Sequence, residues 1–386
     1  MPRALVGYSK NDVVRAGKLL ATVVGADDRS EEVIQAFKIA NSWISSHAYP
    51  LALSLNRLKK VAKRCGVDGQ VVGREKRLAS VRRKLASRSL TGIQDLGGAR
   101  IIVRELSDLN RLTNAYREGL AEFEIHRIDD YVANPKRGGY RSVHVIQKMP
   151  PFDARGRASH ANQRIEVQLR TQLQHEWATA VEAIGLLLGV RMKNAEGDAR
   201  WLRLFELMGD VYRADEMVGD ATPLETVEEL RSLEREVGAL RLLDSKSISE
   251  VVNSRAGYTI LDYDMEDRLT RVRPIDFYDE ARRQMDNPKR YGLTDNAVLL
   301  QAAPETDLRS AYPNYFIEVP MFRERLASVC QSRKVADRPR LVSTDVPLAF
   351  GQRRYVGLRS SPSEEEKNKA RAERKAALKD LGYDVG

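Results

Sequence analysis

The stretch RIEVQLRT, residues 164–171, alternates strictly between apolar and polar side chains. This alternation predicts a β-strand that places three apolar side chains on one face and Glu166, Gln168 and Arg170 on the other. Burying an acid, an amide and a guanidinium without partners is unfavourable, so the triplet favours a polar cleft shared with other side chains. The alternative is a strand whose polar face is exposed to solvent.

Other short β-branched stretches alternate with helical patterns on either side of this strand. ARIIV (99–103) and RSVHVIQ (141–147) predict two further strands, and residues 171–189 predict a helix with one apolar face. The first 68 residues contain helical patterns interrupted at residues 49–50. The order of elements predicts an α/β or α+β fold with a mixed sheet flanked by helices.

The length of 386 residues suffices for two or three domains, and the patterns divide the chain into five parts. We expect an N-terminal helical segment (1–68) that packs on a central α/β domain (69–220). A connector helix (221–245) leads to a small α+β module (246–332), and a charged tail (333–386) follows.

Several classes of protein are disfavoured by composition. No apolar run approaches the roughly 20 residues that cross a bilayer, and the first residues lack the apolar core of a signal peptide. The two cysteines, Cys65 and Cys330, cannot by themselves build a disulfide framework or a zinc site. We therefore expect a cytoplasmic protein without zinc and without a membrane partner, and its oligomeric state is not predicted.

The positive charge is concentrated in one segment. Residues 55–104 contain 14 Lys+Arg and three Asp+Glu, a net charge of +11, whereas the whole chain carries +10. An isolated cluster such as Lys59, Lys60, Lys63 and Arg64 is usually a solvated helix face. An excess on this scale instead indicates a polyanionic partner, either nucleotide phosphates or RNA.

Two patterns in this basic segment suit phosphate chemistry. GREKRLASVRRKL (73–85) contains Arg74, Lys76, Ser80 and Lys84, which a helix or its first turn would direct to one side, toward a triphosphate. A solvated basic helix is the alternative. Asp95 precedes a glycine pair that leads into a strand, where a carboxylate can bind Mg²⁺ or simply belong to a turn.

A glycine-centred stretch, DDYVANPKRGGYRSVHV (129–145), predicts a loop that carries cations and aromatic rings. Tyr140 beside basic residues can stack a base and neutralise phosphate, with Lys136 and His144 close by in sequence. The alternative is a structural loop with a half-buried tyrosine.

Taken in order and spacing, these patterns resemble the synthetase domain of the RelA/SpoT family over roughly residues 70–190. The resemblance implies a mixed sheet akin to that of nucleotidyltransferases. It also implies an ATP-dependent pyrophosphokinase that moves a diphosphate from ATP to a ribose 3′-hydroxyl and releases AMP. Glu75 departs from the family pattern, because this position of the phosphate-binding segment is often apolar.

The resemblance also assigns roles to individual residues. It implies that Asp95 and Glu166 are catalytic and bind Mg²⁺, with Glu166 as the base for the attacking hydroxyl. Those implied to bind ATP are Arg74 and Arg100, on either side of the adenine, and Lys76, Ser80 and Lys84 at the phosphates. Those implied to line the acceptor and phosphate sites are Lys136, Tyr140, His144, Gln168 and Arg170.

The second module resembles the pseudo-zinc-finger antitoxin domain of toxic small alarmone synthetases of the CapRel type. In that group the synthetase domain transfers diphosphate from ATP to the 3′-CCA end of tRNA, and the fused module restrains it until a phage protein binds. The resemblance implies that Tyr312 and Tyr315 in AYPNYF (311–316) inhibit by occupying the ATP site.

Three hypotheses follow for the function of the chain. The first is an autoinhibited toxin for phage defence, whose partners are the tRNA acceptor end, contacted by the basic cluster at 59–64, and a phage trigger such as a major capsid protein at the C-terminal module. The second is a synthetase of (p)ppGpp or (pp)pApp from free nucleotides. The third, a catalytically dead binding module, is disfavoured by the presence of Asp95 and Glu166.

Overall fold

A computed structural model of the chain describes residues 7–22, 30–76, 78–120, 123–150, 162–188, 197–217, 222–243, 248–250, 257–264, 269–294, 296–301, 319–331 and 372. Its helices are α1 (Lys10–Thr22), α2 (Glu31–Ser45), α3 (Ala48–Arg64), α4 (Leu78–Leu85), α5 (Leu106–Arg117), α6 (Gln172–Leu188), α7 (Ala199–Glu216), α8 (Leu224–Val237), α9 (Ala239–Leu243), α10 (Tyr278–Asp286) and α11 (Pro320–Gln331). Its strands are β1 (Gly69–Glu75), β2 (Gly97–Val103), β3 (Glu124–Asp130), β4 (Val143–Lys148), β5 (Arg164–Thr171), β6 (Ile248–Glu250), β7 (Tyr258–Asp264), β8 (Leu269–Ile275) and β9 (Val298–Gln301).

The nine strands of the described chain form one mixed sheet in the order β3-β4-β5-β2-β1-β9-β7-β8-β6. The pairs β2–β5 and β6–β8 are parallel, and the other neighbours are antiparallel. The prediction of a mixed sheet flanked by helices is confirmed. The strands of the predicted second module pair directly with the first, since β9 lies against β1.

One face of the sheet is covered at two places. Helices α3 and α5 pack their apolar side chains on β1, β2, β4 and β5, in a core that includes Leu55, Leu58, Ile101 and Val167. Helix α10 covers the same face further along, over β7 and β9. The apolar positions of β5 predicted from its alternation therefore lie in this core.

The opposite face is apolar at one end and polar at the other. Helices α6 to α9 and α11 enclose a core with side chains of β7, β8 and β9, including Leu261, Val272 and Leu300. Beyond β1 the same face carries the polar residues described below. Helices α1 and α2 form a separate core with α4 and the turn before β2.

The stretch 73–85, predicted to be a helix or its entry, divides into two elements. Residues 73–75 belong to strand β1 and residues 78–85 form helix α4, so Arg74 is a strand residue, whereas Ser80 and Lys84 lie on the helix. The connector is broken at Gly238, which adopts a left-handed φ of 61° and separates α8 from α9. A glycine accepts this conformation without the steric penalty that other residues incur.

No helix in the described parts of the chain is both long enough and apolar enough to span a bilayer. The charged tail predicted at 333–386 lies outside the described residues except for residue 372.

Candidate active site

The predicted polar cleft lies on one face of the sheet, across β1, β2, β5 and β4. Positions paired between neighbouring strands direct their side chains to the same face. Arg100 on β2 pairs with Gln168 on β5, which also pairs with His144 on β4. Glu166 and Arg74 occupy alternate positions of their own strands and share this face. The side chain of Glu166 is only 16% exposed, so the alternative of a solvent-exposed polar strand does not hold.

Five of the predicted residues close a ring of hydrogen bonds. His144 Nδ1 lies 3.1 Å from Glu166 Oε1, and the Tyr140 hydroxyl lies 2.6 Å from His144 Nε2. Arg170 Nη2 donates to the Tyr140 oxygen and to Gln168 Oε1, each at 2.9 Å. Gln168 Nε2 closes the ring by donating to Glu166 Oε2 at 2.7 Å. The ring holds each side chain by at least two contacts, which fixes their orientations before any substrate binds.

Every contact of the ring has a donor and an acceptor in one tautomer of His144, the one with its proton on Nδ1. In that tautomer His144 Nδ1 donates to Glu166, and Nε2 accepts from the Tyr140 hydroxyl. Burial alone would raise the pKa of Glu166, but the hydrogen bonds from His144 and Gln168 outweigh burial and hold that pKa far below its ordinary value. Glu166 is therefore a carboxylate at neutral pH.

Asp95 lies in the turn before β2 and binds two of the predicted phosphate ligands. Lys84 Nζ contacts its two carboxylate oxygens at 2.9 and 3.0 Å, and Lys76 Nζ also forms an ion pair with it. Burial would raise the pKa of Asp95, but the two lysines outweigh burial and lower it. Burial lowers the pKa of Lys76 to about 8, against the opposing effect of Asp95. The site thus contains an ionised acid held between two cations.

The remaining predicted ATP ligands lie around this ion cluster. Ser80 lies on the first turns of α4 and accepts a hydrogen bond from Arg83 at 2.8 Å. Arg100 Nη1 lies 3.3 Å from His175 Nδ1 on α6. Arg74 lies on β1, the strand next to that of Arg100, and on the same face of the sheet. Their arrangement around an adenine stays a prediction.

The loop between β3 and β4 brings aromatic rings to the edge of the ring of hydrogen bonds. Lys136 Nζ lies 4.0 Å from the centroid of the Tyr131 ring and 5.5 Å from that of Tyr140. The Tyr140 ring also packs edge-on to Trp177 at 6.2 Å. The Tyr140 ring is thus half-buried, as expected if the loop is structural. Its hydroxyl nevertheless belongs to the ring of hydrogen bonds in the polar cleft. Lys136 lies on the exposed part of the loop, and binding of an acceptor base there stays a prediction.

The basic residues proposed for tRNA lie elsewhere on the molecule. Lys59, Lys60, Lys63 and Arg64 are all exposed on the outer side of α3. Because α3 packs on the face of the sheet opposite Glu166, this cluster and the polar cleft are on different sides of the sheet. Binding of tRNA by these four residues stays a prediction.

Tyr312 and Tyr315, predicted to be autoinhibitory, lie outside the described residues. Their proposed docking into the ATP site therefore stays a prediction from the sequence.

Glu75, the departure from the family pattern, lies directly behind the site. It follows Arg74 on β1 and therefore points to the opposite face, where it is 5% exposed. The Tyr278 hydroxyl donates to Glu75 Oε1 at 2.7 Å, and Arg282 Nη1 donates to Oε2 at 3.0 Å. Burial raises the pKa of Glu75, against the opposing charge of Arg282. These two partners on α10, more than 200 residues away in sequence, explain why a buried acid is tolerated at this position.

Sequence reasoning missed several residues that contact the site. Tyr131 packs edge-on against His144, with the ring centroids 5.2 Å apart. The presence of two tyrosines in the stretch 129–145 could have indicated that Tyr131 belongs to the site. His175 contacts Arg100, and Glu216 forms a buried ion pair with Arg141. No local motif marks these last two contacts, because their partners lie 75 residues apart in sequence in each case.

Comparison with known proteins identifies the central part of the chain. Residues 73–185 match the family described as "Region found in RelA / SpoT proteins". All the predicted catalytic, ATP-binding and acceptor-binding residues lie inside this region, from Arg74 to Arg170. The basic cluster on α3 and the C-terminal strands lie outside it.

Curated relatives are similar to part of the chain. The chain is 29% identical over 221 residues to the GTP pyrophosphokinase of Escherichia coli K12, covering 54% of this chain and 26% of that protein. It is 33% identical over 87 residues to the GTP pyrophosphokinase YwaC of Bacillus subtilis, covering 22% of this chain and 40% of the relative. The chain thus spans about a quarter of the length of the first of these relatives.

Two solved structures are also similar to part of this chain. A GTP pyrophosphokinase family protein from Streptococcus pneumoniae is 20% identical with a TM-score of 0.36, covering 55% of this chain and 98% of that one. Small alarmone synthetase 1 from Bacillus subtilis, bound to its product pppGpp, is 20% identical with a TM-score of 0.35, covering 47% and 92%.

Proposed function

We propose that the chain is an ATP-dependent pyrophosphokinase of the RelA/SpoT type that transfers diphosphate from ATP to the 3′-hydroxyl of a guanine nucleotide. The observation that carries this proposal is the pairing of two ionised carboxylates, Asp95 and Glu166, with lysines and a pre-oriented ring of polar side chains on one sheet face. The curated relatives named GTP pyrophosphokinase support the guanine nucleotide as acceptor.

The reaction requires positioning and charge neutralisation more than covalent chemistry by the protein. The acceptor 3′-oxygen attacks the β-phosphorus of ATP, and the bond from that phosphorus to the α–β bridging oxygen breaks. The leaving group is AMP, and the hydroxyl proton passes to a base. Lys76 and Lys84 form ion pairs with Asp95. Their ammonium groups therefore lie next to Asp95 and can turn toward the phosphates when ATP binds.

The residues present fit the Mg²⁺ that RelA/SpoT chemistry implies. Mg²⁺ in nucleotide sites is usually bound by one or two carboxylates together with substrate phosphates. Asp95 and Glu166 supply two carboxylates, one in the turn directly before β2 and the other on β5, the strand that pairs with β2. When bound, the ion would neutralise charge on the transferring phosphates. Within the described residues no cluster of three or more His, Cys, Asp or Glu side chains forms a separate metal cage.

Glu166 is the proposed base for the acceptor hydroxyl. In its present state it accepts hydrogen bonds from His144 and Gln168, and its low pKa makes it a weak base. An acceptor hydroxyl that displaces one of these donors would raise that pKa and improve proton transfer. His144 and Tyr140 then orient the carboxylate rather than receive the proton themselves.

A second candidate acceptor is the 3′-terminal adenosine of tRNA, within an autoinhibited toxin for phage defence. The observation that favours it is the exposed run of Lys59, Lys60, Lys63 and Arg64, a surface suited to an RNA backbone. Restraint by Tyr312 and Tyr315 and release by a phage protein belong to this second proposal. The relatives' names favour the guanine nucleotide instead.

One assay separates the two acceptors. The full chain is incubated with Mg²⁺, ATP labelled at the β- and γ-phosphates, and either GTP or GDP or bulk tRNA. We expect label on the guanine nucleotide. Label on tRNA that disappears when the 3′-terminal adenosine is removed would establish the second proposal, and absence of label from every acceptor would overturn both.

The same assay tests the two carboxylates. We expect Glu166→Gln and Asp95→Asn each to reduce transfer by at least about 10²-fold, because each removes a proposed Mg²⁺ ligand and Glu166→Gln also removes the proposed base. Glu124→Gln is the matched control, since Glu124 is exposed on β3 and pairs with Lys148 at the surface. An active Asp95→Asn variant would exclude the metal role of Asp95, and circular dichroism should show all three variants folded.

A further inference from the structure

The loop that carries Tyr140 is held by helix α7, which lies outside the matched RelA/SpoT region. Hydrogen bonds within the loop, from Lys136 N to Tyr140 O and from Gly139 N to Lys136 O, form a turn. The Tyr140 hydroxyl ties the loop to the sheet through His144 and Arg170. Two further contacts, both to α7, hold the loop from the helix side.

The first such contact is between two glycine backbones. Gly139, with φ of 88°, directly precedes Tyr140 and lies against Gly209 on α7. A Cβ atom added at Gly209 would lie 2.6 Å from Gly139 Cα and 3.0 Å from its carbonyl oxygen. These are backbone atoms, so a side chain at position 209 must push the loop away from the helix.

The second contact is a buried carboxylate at the end of α7. Glu216 is 3% exposed and pairs with Arg141, whose Nη1 lies 2.5 Å from Glu216 Oε2. The same carboxylate accepts hydrogen bonds from the Thr171 hydroxyl and from Gln174 Nε2, the latter at 3.2 Å. Arg141 and Thr171 directly follow Tyr140 and Arg170, the two members of the ring that bind each other.

We infer that Gly209 and Glu216 are positioning residues for the acceptor side of the site. Gly209 sets how closely the loop approaches α7, and Glu216 ties the loop to the end of β5 behind the contact between Tyr140 and Arg170. Neither residue touches the reacting atoms. The inference rests on the proposed function for the role of Tyr140 in acceptor binding, whereas the placement of the loop by α7 stands on the contacts alone.

The test compares Gly209→Ala with Asp210→Ala in the full chain. Asp210 is the exposed neighbour on the same helix, so its variant controls for any change to α7 itself. Alanine favours a helix more than glycine does, so Gly209→Ala should keep α7 intact while displacing the loop. We expect faster amide hydrogen exchange over residues 131–142 in Gly209→Ala and wild-type exchange in Asp210→Ala.

The kinetic readout separates acceptor binding from ATP binding. Because a shift of about 1 Å in a site can cost up to about 10²-fold, we expect Gly209→Ala to raise the acceptor KM roughly tenfold or more. We expect the ATP KM to stay within about twofold of wild type, since the ATP ligands lie on β1, α4 and β2. Glu216→Gln should have a smaller effect than Glu216→Ala, since an amide retains an oxygen for the Thr171 hydroxyl.

The outcomes are distinguishable. Equal exchange over residues 131–142 in Gly209→Ala and Asp210→Ala would overturn the placement of the loop by α7, whatever the activity. Faster exchange with an unchanged acceptor KM would overturn the role in acceptor binding. If the wild-type chain transfers no diphosphate to any acceptor, the proposed function fails, and hydrogen exchange still decides whether α7 holds the loop.

Discussion

Tyr140 uses its ring and its hydroxyl for different contacts. The ring packs against Trp177 and the cations of Lys136 and Arg170, while the hydroxyl joins His144 to Arg170. A residue of this kind fits both interpretations of the sequence, a half-buried structural tyrosine and a site residue. The sequence marked its importance, but only the register of β4 and β5 brings His144 and Arg170 together around it.

Tyr140→Phe tests the hydroxyl without removing the ring. We expect a loss of about 1–3 kcal/mol in the free energy of unfolding, because two buried polar partners lose their contact. We also expect lower diphosphate transfer, since His144 and Glu166 lose one fixed neighbour. Urea unfolding and the labelled-ATP assay measure the two effects.

Tyr131→Phe is the matched control for that variant. Tyr131 lies in the same loop and contacts His144 through its ring at 5.2 Å, which the substitution retains. If Tyr140→Phe behaves like Tyr131→Phe in both assays, the hydroxyl has no role in the ring of hydrogen bonds.

Among the elements, β1 and β5 differ in how well they could be predicted. The alternation of apolar and polar side chains in β5 predicted both that it is a strand and that one of its faces is polar. In contrast, β1 contains Gly69, Gly73 and a charged end, which are unfavourable for a strand. Gly73 is explained by tertiary packing, since a Cβ atom there would lie 2.7 Å from Leu55 on α3. A constraint set by another helix cannot be deduced from the strand alone.

Helix α11 is attached through a buried charge cluster that should respond to pH. Arg325 forms an ion pair with Asp215 and lies 4.0 Å from Glu176 on α6, near Tyr212 and Glu324. Burial raises the pKa of Glu176 to about 7, against the opposing charge of Arg325. The folded chain therefore binds more protons than the unfolded chain between the ordinary pKa of 4.5 and about 7.

The stability that Glu176 contributes is consequently present at acid pH and lost as the pH rises through about 7. We expect Glu176→Gln to remove this dependence. The difference in unfolding free energy between the variant and the wild type should change by on the order of 1–3 kcal/mol from pH 5 to pH 8. Urea unfolding at both pH values measures it. Glu228→Gln, on the exposed side of α8, should leave the pH dependence as it is in the wild type.

Across the whole molecule, Glu75 links β1, the strand that carries Arg74, to α10. Arg282 is 11% exposed and donates to Glu75, so removing it leaves a buried acid without its cation. We expect Arg282→Ala to cost about 3–5 kcal/mol in unfolding free energy. The double variant Glu75→Gln/Arg282→Met should recover part of that loss, because no buried charge remains unpaired. Urea unfolding of both variants gives the comparison.

Arg283→Ala provides the control for this contact, since Arg283 is the exposed neighbour on α10. An equal loss in Arg282→Ala and Arg283→Ala would contradict the link. The sequence predicted both regions that this contact joins, but not that they join. Contacts between residues 207 positions apart leave no periodic trace in a sequence.

The pairing of β9 with β1 has a consequence for experiments on shortened chains. Arg74 of β1 pairs with Leu300 of β9. A chain cut before residue 298 would expose the backbone of β1 as a free sheet edge, and free edges pair with strands of other molecules. Self-association would then change the activity of the shortened chains. Their activity would no longer show whether removal of the C-terminal part had released an inhibition. The particle mass of each shortened chain must therefore be measured before its activity is assigned to regulation.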